Sequence, residues 1–434
     1  MSENNNLIVN KSMALLGKIQ IPGDKSISHR SIIIGSIAEG NLTIKNFLNS
    51  DDCMNTVSAM KQLGASIIVD NQRVSITGKG LFSLSKPKNI IDVGNSGTLM
   101  RLLTGLLATQ DFTSSLTGDS SLKDRPMGRI IEPLRKIGAE INSDEFKAPL
   151  TINPKTEFYP IQYSQDIASA QIKSCLLLAA LFIKGEHTFF EKIPTRDHTE
   201  NLLEHFGCDI VRSENRFVVK GQQKLIAKDI QISSDISSAA FFIVAALITK
   251  GSEILIPNVN INKYRTGIIT VLKKMNANIT VKNEQIISNE KVADIEVKYS
   301  KLESINIGGD IISTLIDELP ILFIACAVSH GTSNISGIEE LRYKESDRIK
   351  AMEEGLKSIG ISVSSTFDSI SITGGQIDGG KVNSYGDHRI AMSFAIAGMI
   401  SKNSVTINNT KNISTSFPTF IDLLREQGVN IFEI

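Results

Sequence analysis

Gly23-Asp24-Lys25-Ser26-Ile27-Ser28-His29-Arg30 is a glycine turn followed by small hydroxyls and two cations, and it opens an apolar run. The first turn of an α-helix leaves its N–H groups unpaired and carries the positive end of the helix dipole. Lysine, serine and arginine at that point suit a phosphate or carboxylate. One such turn equally describes solvated surface. Repetition gives it weight. Comparable turns follow at Gly94-Asn95-Ser96-Gly97-Thr98, Ser169-Ala170-Gln171, Ser233-Ser234-Asp235, Asp317-Glu318 and Gly386-Asp387-His388-Arg389.

A second phrase recurs with them, Gly or Asn, a small or polar pair, then Ile or Val. It reads Gly64-Ala65-Ser66-Ile67, Gly138-Ala139-Glu140-Ile141, Gly207-Cys208-Asp209-Ile210, Asn276-Ala277-Asn278-Ile279, Gly360-Ile361-Ser362-Val363 and Gly428-Val429-Asn430-Ile431. The interval is about 70 residues, stretched once to about 84, which marks an internal six-fold repeat. Gly or Asn suits the left-handed residue that ends a helix before a strand. Each unit predicts a polar turn and an apolar helix, as at 172–182 or 391–400. A β-branched strand follows, as at 253–256 or 405–407. An amphipathic helix comes next, as at 55–63, 127–137, 199–206 or 346–359, then alternating strands such as 67–69 and 73–76. The first helix of each unit is apolar nearly all round and is expected among sheets. Units beginning near Lys25, Gly94 and Ser169 make one domain, and those near Asp235, Asp317 and Asp387 another.

Composition limits what this α/β chain does. Its 434 residues exceed one ordinary domain, and 41% apolar with 21% charged residues is usual for a soluble enzyme. Lys+Arg and Asp+Glu are equal at 46, so no global field attracts nucleic acid or an anionic membrane. Cationic function must be local. Cys53, Cys175, Cys208 and Cys326 lie far apart with no CxxC spacing, which argues against zinc or disulfides and for buried thiols. No basic-then-apolar leader is read in residues 1–6, and runs such as 175–183 and 239–248 are too short to span a bilayer. A cytoplasmic protein is expected.

Further cations stand at Lys123-Asp124-Arg125, Arg196-Asp197-His198 and Arg342-Tyr343-Lys344-Glu345-Ser346-Asp347-Arg348. Arginine forks match phosphate and carboxylate, though pairing with the neighbouring acids Asp124 and Asp347 is the plain alternative. Gly94-Asn95-Ser96-Gly97 lacks the spacing of a nucleotide-binding glycine loop. Asp317 and Glu345 are candidate acid–base groups; a helix N-cap and a helix-start acid are the other readings.

Pro22–Arg30, Gly94–Thr98, Asp124-Arg125-Pro126-Met127, Lys344–Arg348, Asp387–Met392 and Ser416-Phe417-Pro418 together resemble the 5-enolpyruvylshikimate-3-phosphate synthases, from about residue 8 to the C-terminus. The resemblance implies a two-domain inverse α/β barrel, the enolpyruvyl transferase fold, of six βαβαββ-type units, three per domain. Residues 1–22 plus 235–434 would form one domain and 23–234 the other, with the active site between them. It implies transfer of the enolpyruvyl group of phosphoenolpyruvate to the 5-hydroxyl of shikimate 3-phosphate, in chorismate and aromatic amino-acid biosynthesis. Phosphate leaves from a tetrahedral intermediate, and neither metal nor organic cofactor is implied. A monomer with two small-molecule substrates, and no nucleic-acid or membrane partner, is expected.

By motif, Lys25, Ser26, Arg30, Ser169, Ala170, Gln171, Asp317 and Lys344 would hold shikimate 3-phosphate. Lys25, Gly97, Arg125, Gln171, Arg348 and Arg389 would hold phosphoenolpyruvate. Asp317 resembles the base for the 5-hydroxyl, Glu345 the group that protonates the methylene, and Lys25 joins them as catalytic. Arg196-Asp197-His198-Thr199 resembles the divergent, often glyphosate-tolerant branch, where that arginine binds the shikimate phosphate. Thr415 stands where many members carry a Lys, and Leu102 where many carry a Pro. Gly97 keeps the small residue usual in glyphosate-sensitive members. The rival enzyme is the UDP-N-acetylglucosamine enolpyruvyl transferase, which usually has a Cys in the loop corresponding to residues 118–125; none is there. A non-catalytic phosphometabolite-binding relative is the rival from another class.

Overall fold

The computed structural model describes residues 6–165 and 168–434. The chain divides into two compact units. The first comprises Met1–Pro22, Ser233–Gln285 and Lys291–Ile434; the second comprises Gly23–Ile232 and Ile286–Glu290. The chain therefore changes unit after Pro22 and again after Ile232, with a short return to the second unit at Ile286–Glu290.

Among the described residues there are six four-stranded sheets of one pattern. In one repeat Ile91–Asp92 runs parallel to Ser114–Thr117, which pairs antiparallel with Lys147–Asn153, itself antiparallel to Glu140–Asp144. Helix Gly97–Leu107 follows the first strand and helix Gly128–Lys136 the second, giving βαβαββ. Three sheets borrow a strand from afar. Leu16–Lys18 lies parallel to Glu253–Asn260, Ile230–Gln231 parallel to Glu39–Lys45, and Leu7–Val9 sits between Val405–Asn408 and Ile431–Glu433. The N-terminal segment thus completes two repeats of the unit that holds the C-terminus.

Each sheet buries one face, as the strict alternation along Arg73–Lys79 records. The buried faces cover the apolar helices. Ile236–Ile248 is buried along its whole length, as is Leu319–Ala327, and both pack with His388–Gly398. In the other unit Gly97–Leu107 packs on Ala170–Ala180 so closely that a Cβ on Gly105 would lie 2.0 Å from the Cys175 carbonyl oxygen. Only glycine permits that approach. Helices inside, sheets outside: this is the inverse α/β barrel arrangement in each unit. All six closing positions, Gly64, Gly138, Gly207, Asn276, Gly360 and Gly428, have positive φ, from 69° at Asn276 to 108° at Gly138. The four cysteines are buried, and burial pushes the Cys53 thiol up to about 12.

Candidate active site

In the unit holding residues 23–232, the first helix of each repeat begins with a charged or hydroxyl-bearing turn. Asp24 caps helix Lys25–Ser36, its carboxylate accepting from Ile27 N at 2.8 Å. Ser96 and Ser169 cap Gly97–Leu107 and Ala170–Ala180 in the same way. Gln171 ties two of these starts together. Its Oε1 accepts from Arg101 at 2.7 Å and its Nε2 donates to Thr98 at 3.1 Å. Arg125 donates to Asn95 Oδ1 at 2.8 Å. A Cβ on Gly97 would meet guanidinium nitrogens of Arg101 and Arg125 at 2.9 and 3.1 Å, so the glycine leaves room for both arginines.

Lys25 forms an ion pair with Asp52, at the start of helix Asp51–Gln62. Arg30 is only 3% exposed. It donates to Thr199 Oγ1 at 2.7 Å, to Ser174 Oγ at 2.8 Å and to the carbonyl of Ser26 at 3.0 Å. Arg196 is half-buried, just before helix His198–His205. Its neighbouring acid, Asp197, accepts from Arg212 at 3.0 Å. Lys25, Ser26, Arg30, Gly97, Arg125, Ser169, Ala170, Gln171 and Arg196 therefore sit on one connected set of helix starts and the loop beside it.

The other unit gathers Asp317, Lys344, Glu345, Arg348 and Arg389. Arg348 is 1% exposed. Its Nε donates to Asp387 at 2.8 Å, and one terminal nitrogen donates to Glu345 at 2.5 Å. The other lies 3.8 Å from Asp317 Oδ1. Burial opposes this charge, yet Asp387, Glu345 and Asp317 outweigh it and raise the Arg348 pKa further. Lys344 Nζ is 3.5 Å from Asp317 Oδ1, and Arg389 donates to the Asp317 carbonyl at 2.9 Å. The residue capping helix Leu319–Ala327 is Glu318, whose side chain makes no capping bond, so Asp317 is not its N-cap. Asp347 pairs with Arg342 at 2.6 Å rather than with its neighbour Arg348. Thr415 ends a 3-10 turn and donates to the Asn412 carbonyl at 2.7 Å. Leu102 is buried.

Several partners go unmarked as such in the sequence, even where, as with Asp387 and Glu318, the residue lies in one of the helix-opening turns. Asp52, Arg101 and Asp387 belong to the groups above. So does Glu318, a buried carboxyl bonded to Ser237, which also accepts from Arg265 at 2.8 Å. Burial pushes Glu318 above the usual carboxylate range, against the pull of Arg389. No group of three or more His, Cys, Asp or Glu among the described residues could hold a metal ion. No helix among them is long and apolar enough to cross a membrane.

A family model described as EPSP synthase (3-phosphoshikimate 1-carboxyvinyltransferase) matches residues 9–424. A 3-phosphoshikimate 1-carboxyvinyltransferase of Legionella pneumophila (strain Corby) is 48% identical over 417 residues, covering 96% of each chain. One of Coxiella burnetii (strain CbuK_Q154) is 48% identical over 422 residues, covering 97% of this chain and 96% of its own. The solved EPSP synthase of Acinetobacter baumannii superposes with a TM-score of 0.89 at 44% identity, covering 99% of this chain and 100% of that one.

Proposed function

The chain belongs to the EPSP synthase (3-phosphoshikimate 1-carboxyvinyltransferase) family, and from that premise we propose how its side chains move the enolpyruvyl group of phosphoenolpyruvate onto the 5-hydroxyl of shikimate 3-phosphate. The addition joins the hydroxyl oxygen to C2 of phosphoenolpyruvate, while that hydroxyl loses its proton and C3 gains one. Elimination then removes a proton from C3, and the C2–O bond to phosphate breaks with its electron pair leaving on phosphate. Asp317 takes the hydroxyl proton and passes it to the departing phosphate; Glu345 gives the C3 proton and takes one back.

Lys25, Ser26, Arg30, Ser169, Ala170, Gln171, Arg196, Asp317 and Lys344 hold shikimate 3-phosphate in this reading. Lys25, Gly97, Arg125, Gln171, Arg348 and Arg389 hold phosphoenolpyruvate. Lys25 exchanges Asp52 for a substrate anion. Both substrates are polyanions, and helix N-termini with arginine forks are what such ligands need. The observation that carries the reading is the position of Arg348. It touches Glu345, lies beside Asp317 and is fixed by Asp387, so one buried cation sets the geometry of both proton-transfer groups. The four free, buried thiols suit a reducing, cytoplasmic compartment.

The test is phosphate release from phosphoenolpyruvate, with shikimate 3-phosphate set against UDP-N-acetylglucosamine. Release is expected with the first acceptor only. Release with the sugar nucleotide, or with neither, overturns the reading.

A further inference from the structure

Lys173 lies one residue before Ser174 and two after Gln171, yet it is 1% exposed and turned to a different set of partners. Its Nζ is 2.7 Å from Glu200 Oε1 and 3.0 Å from Glu191 Oε2, and it donates to the Thr195 carbonyl at 3.2 Å. Glu191 uses its other oxygen on the same threonine, accepting from Thr195 N at 3.1 Å and from its hydroxyl at 2.5 Å. Burial disfavours the ammonium, but Glu200 and Glu191 outweigh it and hold Lys173 above its usual pKa.

A buried ion cluster is a costly way to stabilise a fold, since an apolar set of equal volume does as well or better. Its effect here is local. Thr195 has its N–H, its carbonyl and its hydroxyl all held by Lys173 and Glu191, and the next residue is Arg196. Asp197 beyond it is held by Arg212. Glu200 adjoins Thr199, whose hydroxyl bonds to Ser174 at 2.7 Å and accepts from Arg30 at 2.7 Å. Thr195 is therefore fixed through its backbone and Asp197 through its side chain, on either side of Arg196, and helices Ala170–Ala180 and His198–His205 together hold Arg30.

We propose that Lys173, Glu191 and Glu200 are positioning residues for the acceptor substrate: they lock Thr195 so that Arg196 meets the anionic groups of shikimate 3-phosphate in register with Arg30. The proposal rests on the assignment of Arg196 and Arg30 to that substrate made above. Holding a loop in its bound geometry removes the ordering cost that binding otherwise meets. The effect falls on the acceptor and spares the donor.

Isothermal titration and steady-state kinetics of Lys173→Met test this. Shikimate 3-phosphate affinity is expected to fall about tenfold or more, while kcat and the KM for phosphoenolpyruvate stay within about twofold. In an Arg196→Ala background the same change is expected to add less than about twofold, because both act through one guanidinium. If Lys173→Met does not fold, Glu191→Gln and the double variant Lys173→Met/Glu200→Gln carry the same expectations. Equal losses for both substrates, no loss, or independent losses in the Arg196→Ala background overturn the proposal. Arg196→Ala alone separates the two levels. If it leaves shikimate 3-phosphate affinity unchanged, the assignment of Arg196 fails and the proposal with it. If it weakens affinity while the Lys173, Glu191 and Glu200 variants do not, the proposal alone fails.

Discussion

Arg348 is held by carboxylates of different exposure, and the difference separates two kinds of substitution. Asp387 is fully buried beneath it, whereas the Glu345 side chain is 23% exposed. Asp387→Asn leaves a buried guanidinium short of compensation, and unfolding free energy is expected to fall by on the order of 3 kcal/mol, read from urea melts. Glu345→Gln keeps the shape and an acceptor for Arg348 but removes the transferable proton. Its kcat is expected to fall about 10²-fold or more with binding of both substrates nearly unchanged, and full turnover would remove Glu345 from proton transfer. His29, next to Arg30, gives a pH signature. Its Nδ1 is bonded to Thr56 Oγ1 at 2.6 Å, and burial, then Lys25 and Arg30, push its pKa well below 6.5. Below about pH 6.5 the unfolded chain binds a proton that the folded chain refuses, so stability is full above that pH and falls as pH drops through it. Between about pH 7.5 and 5.5 this one group accounts for a loss on the order of 1 kcal/mol. Denaturant midpoints of His29→Gln should lack that share; identical slopes in both proteins would show that His29 is not the group involved.

Elements are legible in the sequence where the backbone makes an unusual demand. The closing Gly/Asn phrases read as left-handed helix ends, and all of them have positive φ. Each position differs in what surrounds it. Gly207 has no atom within 4 Å of a would-be Cβ, while at Gly138 that Cβ would lie 2.6 Å from the Glu157 carbonyl oxygen. Gly207→Ala is therefore expected to cost only the left-handed penalty, about 1 kcal/mol. Gly207→Asn should cost less, since Asn276 already does this work in the fourth repeat. Gly138→Ala should cost clearly more than Gly207→Ala; equal losses in thermal melts would mean that the close carbonyl yields freely. Boundaries are less legible. The amphipathic pattern places the second helix of the first repeat from residue 55, but it begins at Asp51, because Ser50 caps it with a bond to Cys53 N. The borrowed strands Leu7–Val9 and Leu16–Lys18 are three residues each, too short to show a period.

At the scale of the whole chain, the site motifs are legible because cations and hydroxyls gather at helix starts. Their partners are not, because each comes from a distant segment with no local pattern. Asp52 meets Lys25 and Asp387 meets Arg348 only through packing of separate helices. The sequence repeat also implies how the chain unfolds. Among the described residues, buried apolar side chains form two clusters, one confined to each compact unit. Leu103, on helix Gly97–Leu107, is fully buried in one; Leu322, on helix Leu319–Ala327, is fully buried in the other. Each cluster is built from three repeats. Calorimetry should therefore show a total enthalpy greater than the van't Hoff value of its main transition, the mark of more than one cooperative unit. Leu103→Ala and Leu322→Ala each open a cavity, at about 2–5 kcal/mol. Each is expected to lower one transition and leave the other in place. If both variants instead shift a single transition whose two enthalpies agree, the repeats fold as one body and the division into two cores has no thermodynamic meaning.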